Sequence, residues 1–268
     1  MNGNFLLQAL ALLLPTSCAL CGAGSQQTLC APCIAQFFGP AAAVPRCDCC
    51  ANPLPAAMHA GAAQGEAHDS AVQENAALDG ASEGSTARCC AHCLVRRPAF
   101  DRTVVAADYA LPVDQLVLQL KFGQRLALAA LMARRLGAAL QQAGGELPTL
   151  LCPVPLGPRR LAWRGYNQAL EIARPLARQL GVALEPRLVA RIRETAAQSS
   201  VPPERRRANI AGAFALAAPA LAQVRGRHIG VVDDVMTSGG TLDEMAAMLK
   251  RHGAARVSNL VFARTPPH

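Results

Sequence analysis

The sequence predicts an α/β domain built on a mainly parallel sheet flanked by helices, preceded by a small cysteine-rich module. Three observations carry that prediction. From about Phe100 onward, short apolar runs alternate with helical patterns, as strand–helix–strand units require. Of the eleven cysteines, all but Cys152 lie between Cys18 and Cys93, so the sulfur belongs to one N-terminal region. The apolar run that starts at Ile229 ends in two adjacent carboxylates and a loop of hydroxyls and glycines, IGVVDDVMTSGGT.

The first residues, MNGNFLLQALALLL, carry no cationic segment and meet Pro15 and the cysteines in place of a small-residue cleavage site. Phe5, Leu6, Leu10 and Leu13 are expected on one face of a short amphipathic helix that docks the module onto its neighbour. That reading fits a cytoplasmic protein with reduced thiols. No apolar run reaches the ~20 residues that span a bilayer. Residues 51–88 are mostly Ala, Gly, Ser and Glu without apolar periodicity, and are expected to be a disordered insertion. The chain then divides into a cysteine-rich module over residues 1–100 and an α/β domain over residues 101–268.

Within the α/β domain, residues 103–108 read as a strand, and 112–122 and 125–141 as helices with Leu, Ala and Met on recurring faces. Residues 150–154 form a short buried strand closed by Pro155. A helix starts near Asn167, whose side chain can cap it, and stops at Gly181, with Pro175 marking a bend or break. Strands follow at 188–192 and, after a polar Arg-rich segment, at 213–216. A strand at 228–232, a helix at 242–252 and a strand at 257–263 complete the chain, and no internal repeat is visible.

The cysteines fall in pairs: Cys18 and Cys21, Cys30 and Cys33, Cys47 and Cys50, Cys90 and Cys93. Two thiolates at C-x-x-C spacing chelate one face of a tetrahedral ion, and two such pairs complete an all-thiolate zinc site. Sequential pairing is preferred because it closes the shortest loop, although spacing leaves an interleaved arrangement open. The second site must span the long insertion, at a cost that grows only logarithmically with loop length. Cys49 and Cys89 lie beside ligands and are alternatives to Cys50 and Cys90, while His92 reads as a bystander. Four thiolates leave no open position for water, so the metal's expected role is structural; a dithiol redox role competes with it.

The balance of 26 Lys+Arg against 18 Asp+Glu gives a formal charge of +8, which suits phosphorylated small molecules, nucleic acid or both. Aromatics are only 4% of residues, which excludes a surface tiled with stacking platforms for single-stranded nucleic acid.

Ligands of parallel α/β sheets gather at the carboxyl ends of strands, where helix N-termini offer unpaired N–H groups. Thr237, Ser238, Gly239, Gly240 and Thr241 combine hydroxyls with glycines that let backbone close on an anion. Asp233 and Asp234 would repel a phosphate, so their partners are sugar hydroxyls or a hydrated Mg²⁺. Residues 229–241 resemble the phosphoribosyl pyrophosphate (PRPP) motif of type I phosphoribosyltransferases. The resemblance implies that the two acids hold the ribose hydroxyls and the loop holds the 5′-phosphate. It also implies a site for pyrophosphate with Mg²⁺, for which Arg159 and Arg160 in LCPVPLGPRR are candidates; a solvated basic turn is the alternative.

The segments WRGYNQALEIA from Trp163 and TAAQSSVPPERRRANIAGAF from Thr195, together with Tyr109, LQLKF ending at Phe122 and the cysteine pairs, resemble the ComF family of bacterial competence proteins. In that resemblance Arg164 lies beside the pyrophosphate loop, and Gln198, Arg205 and Asn209 belong to a flexible loop that closes over ligand. Ala197 departs from the residues of different stiffness that often precede the glutamine, which bears on the loop's stiffness and not on its role. Lys121 matches a family lysine and reads equally as a solvated helix residue. The family implies a role in natural competence or the use of external DNA, with single-stranded DNA and a competence helicase as partners. Phosphoribosyl transfer to an unspecified acceptor is implied too, with nucleobase salvage the alternative. No residue is identified as catalytic.

Overall fold

Five strands form one parallel sheet in a computed structural model of the protein, which describes residues 17–39, 44–55, 88–193, 210–217 and 220–266. The strands are β1 (Arg102–Asp108), β2 (Leu150–Pro153), β3 (Ala183–Leu184), β6 (His228–Met236) and β7 (Arg256–Arg264), in the order β1-β7-β6-β2-β3. All four neighbouring pairs run parallel, and β6 pairs with β7 from His228 opposite Arg256 to Met236 opposite Arg264. Residues buried on both faces explain why β2 and β7 read as near-continuous apolar runs. Gly230 in β6 is required by close approach: an added Cβ would lie 2.5 Å from Leu151 Cδ2 and 2.8 Å from Pro148 Cγ.

Two apolar layers cover the sheet. One face packs against α3 (Asp114–Phe122), α4 (Ala127–Ala143) and α6 (Gln168–Leu180), through Leu116, Leu128, Leu136, Ile172 and Leu176 against Val232, Leu260 and Phe262. The other packs against α8 (Gly240–Arg251), through Met245 and Leu249 against Ile229, Val231 and Val257. The cysteine module contributes to both layers. Cys18 and Cys33 belong to the first, beside α1 (Ala31–Phe38), whose Phe38 ring lies 6.1 Å from that of Phe262. Cys47, Cys50 and Cys93, the last in α2 (Ala91–Val95), belong to the second. The module contacts edge strand β1, where Arg46 pairs with Asp108 at 2.9 Å, so one exposed edge of the sheet is covered.

Several expectations are corrected. β6 continues past residue 232 to Met236, so Asp233 and Asp234 lie inside the strand, their ladder supplied by β7. Residues 158–164 form a helix, α5 (Pro158–Arg164), with Pro at its first position, where the missing N–H costs nothing. Pro175 sits inside α6 without ending it. Two of the expected strands, as β4 (Val189–Arg191) and β5 (Phe214–Leu216), leave the main sheet and pair antiparallel with each other, before the short α7 (Leu221–Val224). The N-terminal helix, nearly all of the insertion, and Ala197, Gln198, Arg205 and Asn209 lie outside the described residues.

Candidate functional site

At the carboxyl ends of β2 and β6 lies a cavity of about 430 Å³. Asp233, Asp234 and residues 235–242 form one wall; residues 154–156 with Arg160 and Arg164 form another. Tyr109, Lys121 and Phe122 close a third side, and Arg191 of β4 reaches it from the small sheet. Arg159, expected beside Arg160, is not among the lining residues, because successive residues of α5 point about 100° apart.

The loop after β6 is shaped by its glycines. Gly239 adopts φ of +81°, a left-handed conformation that places it as the N-cap of α8, and an added Cβ would come within 2.5 Å of Met236 Cε. At Gly240 an added Cβ would meet nothing closer than Ser238 Oγ at 3.8 Å, so the helix N-terminus faces open space with little side-chain cover. Thr237 and Ser238 are exposed beside it. Hydroxyls, bare backbone and the positive end of a helix together suit a phosphate group.

The acid pair is asymmetric. Asp234 is buried and lies 2.7 Å from Lys121 Nζ, whereas Asp233 is half-buried and accepts the Asp234 backbone N–H at 2.9 Å. Burial disfavours the Asp234 charge, but the Lys121 ammonium more than offsets it and holds that carboxyl below the usual range. Burial and the neighbouring Asp234 charge push Asp233 well above it. Burial likewise opposes the Lys121 charge, and Asp234 more than restores it, raising that pKa. Lys121 is therefore part of the site, and the reading of a solvated helix residue does not hold.

The RGYNQA segment fixes the opposite wall. Asn167 caps α6 by accepting the Ala169 N–H at 3.0 Å, while its Nδ2 donates to the Val154 carbonyl at 3.0 Å and so anchors the turn after β2. Gly165, at φ of +81°, ends α5, and Tyr166 donates its hydroxyl to the Leu120 carbonyl, tying this turn to α3. Arg164 Nη1 donates to Gln168 Oε1 at 2.5 Å, and its guanidinium lies 5.4 Å from the Phe122 ring centre. Phe122 in turn meets Trp163 edge to face at 6.0 Å, and both rings are exposed.

The cysteines gather as two fours, Cys18, Cys21, Cys30, Cys33 and Cys47, Cys50, Cys90, Cys93, each with its sulfurs within 4.8 Å of one another. Tetrahedral bonds of about 2.3 Å to zinc separate sulfurs by about 3.8 Å. Cys21 and Cys30 lie 3.7 Å apart and Cys50 and Cys90 3.6 Å apart, so both sets fit structural zinc. Pairing within each cluster is sequential. Cys49 instead directs its thiol to the Phe100 carbonyl at 3.9 Å.

Two residues of this region had no signal in the sequence reading. Arg191 reaches the cavity only because β4 and β5 fold off the main sheet. Arg264 is buried at the end of β7, under the loop, where an apolar strand pattern would place another aliphatic residue.

The pattern described as "Phosphoribosyl transferase domain" matches residues 167–267, and that described as "Double zinc ribbon domain" matches residues 9–64. Cys90 and Cys93 thus lie beyond the ribbon match, yet the fold returns them to Cys47 and Cys50. The chain is 39% identical over 180 residues to "DNA utilization protein YhgH" of Escherichia coli K12, covering 66% of this chain and 78% of that protein. It is 32% identical over 179 residues to "Competence protein F" of Haemophilus influenzae, covering 65% and 78%. A 37-residue stretch is 57% identical to rice chloroplastic "Ribose-phosphate pyrophosphokinase 3", covering 14% of this chain and 9% of that protein. With a phosphoribosyltransferase-type sheet, a double zinc ribbon and these relatives, the chain belongs to the ComF family of competence and DNA-utilization proteins.

Proposed function

We propose that the protein binds PRPP at the carboxyl ends of β2 and β6, and that it acts in natural competence or the use of external DNA. Asp233 and Asp234 accept hydrogen bonds from the ribose hydroxyls, and Thr237, Ser238, Gly239, Gly240 and Thr241 hold the 5′-phosphate. Arg160 and Arg164 face the pyrophosphate, with Arg159 as an outer contribution to the local positive potential. Mg²⁺ bound with PRPP would neutralise charge on the departing pyrophosphate, and the carboxylates this cavity offers it are Asp233 and Asp234. On this reading residues 101–268 form the ligand-binding domain, and residues 1–100 the metal-binding module.

The observation that carries the reading is the convergence of an acid pair, a hydroxyl–glycine loop at a helix N-terminus and three arginines, Arg160, Arg164 and Arg191, on one cavity. Each half of the ligand meets groups of matching chemistry. Titration calorimetry with PRPP and Mg²⁺ tests it: the wild-type chain binds, and the Asp233→Asn, Asp234→Asn double variant does not. Absence of binding by the wild type, or binding that survives the double substitution, overturns it. A transformation assay with the same variant then reports whether ligand binding serves DNA uptake.

A second reading, direct contact with single-stranded DNA, is favoured by the exposed Phe122–Trp163 pair at the mouth of the cavity. Aromatic faces next to arginines accept bases without regard to sequence.

A further inference from the structure

The guanidinium of Arg264 sits between the second cysteine cluster and the loop that follows β6. Its Nε donates to the carbonyl of Cys50 at 3.2 Å. Its Nη1 donates to the carbonyl of Met236 at 3.2 Å, to that of Thr265 at 2.7 Å, and to that of Thr237. The side chain is buried, at 7% exposure, and no carboxylate among the described residues is ion-paired with it.

A buried guanidinium without a counter-charge is costly. Four thiolates around one divalent zinc carry a net charge of about minus two, and Arg264 is bonded to the backbone of one of those ligands. A zinc-filled cluster would supply a counter-charge at this position. A second connection reaches the far end of the same loop. Cys49 bonds the Phe100 carbonyl, the Phe100 ring edge lies 4.0 Å from the Cβ position of Gly239, and the neighbouring Ala99 N–H donates to Asp243 Oδ1 in the first turn of α8 at 2.7 Å. The loop is therefore held at residues 236–237 by Arg264, which is bonded to the second cluster, and approached at Gly239 and held at Asp243 by Phe100 and Ala99 of the segment that trails that cluster. The first cluster packs on the opposite face of the sheet and makes no such contact among the described residues.

We propose that the second cysteine cluster, acting through Arg264, holds residues 236–241 in their anion-binding shape. Metal occupancy of that cluster and ligand affinity are then linked: filling one favours the other by the same factor. Arg264 is a positioning residue: it bonds the backbone of the loop from behind and does not line the cavity. The order of the loop stands on its own geometry, while the ligand half of the statement rests on the PRPP reading above.

The test uses the full-length chain, with zinc content, amide hydrogen exchange and PRPP titration measured on each variant. Arg264→Met keeps both zinc ions, speeds exchange across residues 236–241 and weakens PRPP by about tenfold or more. Arg264→Lys, which keeps the charge but not the planar fork, falls between it and the wild type. Cys90→Ser loses one zinc and loosens the same loop, whereas Cys21→Ser loses one zinc and leaves the loop as it was. On a Cys90→Ser background, Arg264→Met adds no further weakening. Unchanged exchange over residues 236–241 in both Arg264→Met and Cys90→Ser overturns the proposal. A loop that loosens as expected in a chain whose wild type binds no PRPP supports the metal-to-loop coupling and overturns the ligand reading instead.

Discussion

Two adjacent carboxylates share one ammonium in this protein, and they answer differently to pH and to substitution. Asp234, held low by Lys121, contributes stability that is present above the ordinary carboxylate pKa and lost as pH falls through its folded value. Lys121, held high by Asp234, contributes stability that is lost only as pH rises through its own folded value. The pair is thus fully effective between about pH 4 and 10. Lys121→Met strands a buried carboxylate and should cost about 3 kcal/mol at neutral pH, a deficit that shrinks as acid protonates Asp234. Asp233 runs the other way. Its raised pKa means the fold favours the protonated form, so the ionised form at neutral pH opposes folding. Asp233→Asn should therefore raise the stability of the ligand-free protein by about 1 kcal/mol while weakening PRPP. Urea unfolding at pH 4 and pH 7 checks both substitutions, and a destabilised Asp233→Asn would show that the acid pair is not a cost to the fold. The pair itself was legible because two acids after an apolar run are conspicuous. Lys121 was less so, since its partner lies across the fold and nothing local to α3 distinguishes it from a solvated lysine.

Asn167 shows how one residue positions a whole element. Its oxygen caps α6 and its amide nitrogen holds the Val154 carbonyl, so helix and cavity wall share one side chain. Asn167→Ala removes both bonds and should cost about 2 kcal/mol, whereas Asn167→Asp keeps the cap acceptor but loses the donor and should cost about 1. Denaturant titrations of the two variants separate the halves, and an Asn167→Asp chain as stable as the wild type would mean that the wall does not depend on the amide donor. Capping was readable in the sequence because Asn precedes an amphipathic run. α5 was not, because none of its residues is buried and so no apolar period marks it. The continuation of β6 through the acids was also hidden. Hydrophobic pattern stops at Asp233, but backbone pairing with β7 continues to Met236. Residues 188–192 and 213–216 read correctly as extended; that they pair with each other away from the main sheet is a tertiary fact with no local signature.

Across the whole molecule, the +8 charge and the placement of the aromatics bear on the same question. Many basic side chains are already committed within the fold, as in Arg46 with Asp108, Lys121 with Asp234 and Lys250 with Asp101. Arg160, Arg164 and Arg191 all line the cavity, and Phe122 and Trp163 beside it are exposed. Low aromatic content excludes an extended stacking surface, yet a single platform needs only these two rings. Trp163 is the one tryptophan of the chain, so its fluorescence reports on that platform alone. Adding a single-stranded oligothymidylate should quench it, with an affinity that falls steeply as salt rises. Trp163→Ala should weaken that binding by about 1–3 kcal/mol while leaving the salt slope and PRPP affinity unchanged, because stacking is lost but phosphate contacts remain. Quenching that does not depend on salt, or DNA affinity unaltered by Trp163→Ala, would remove the platform from any DNA contact.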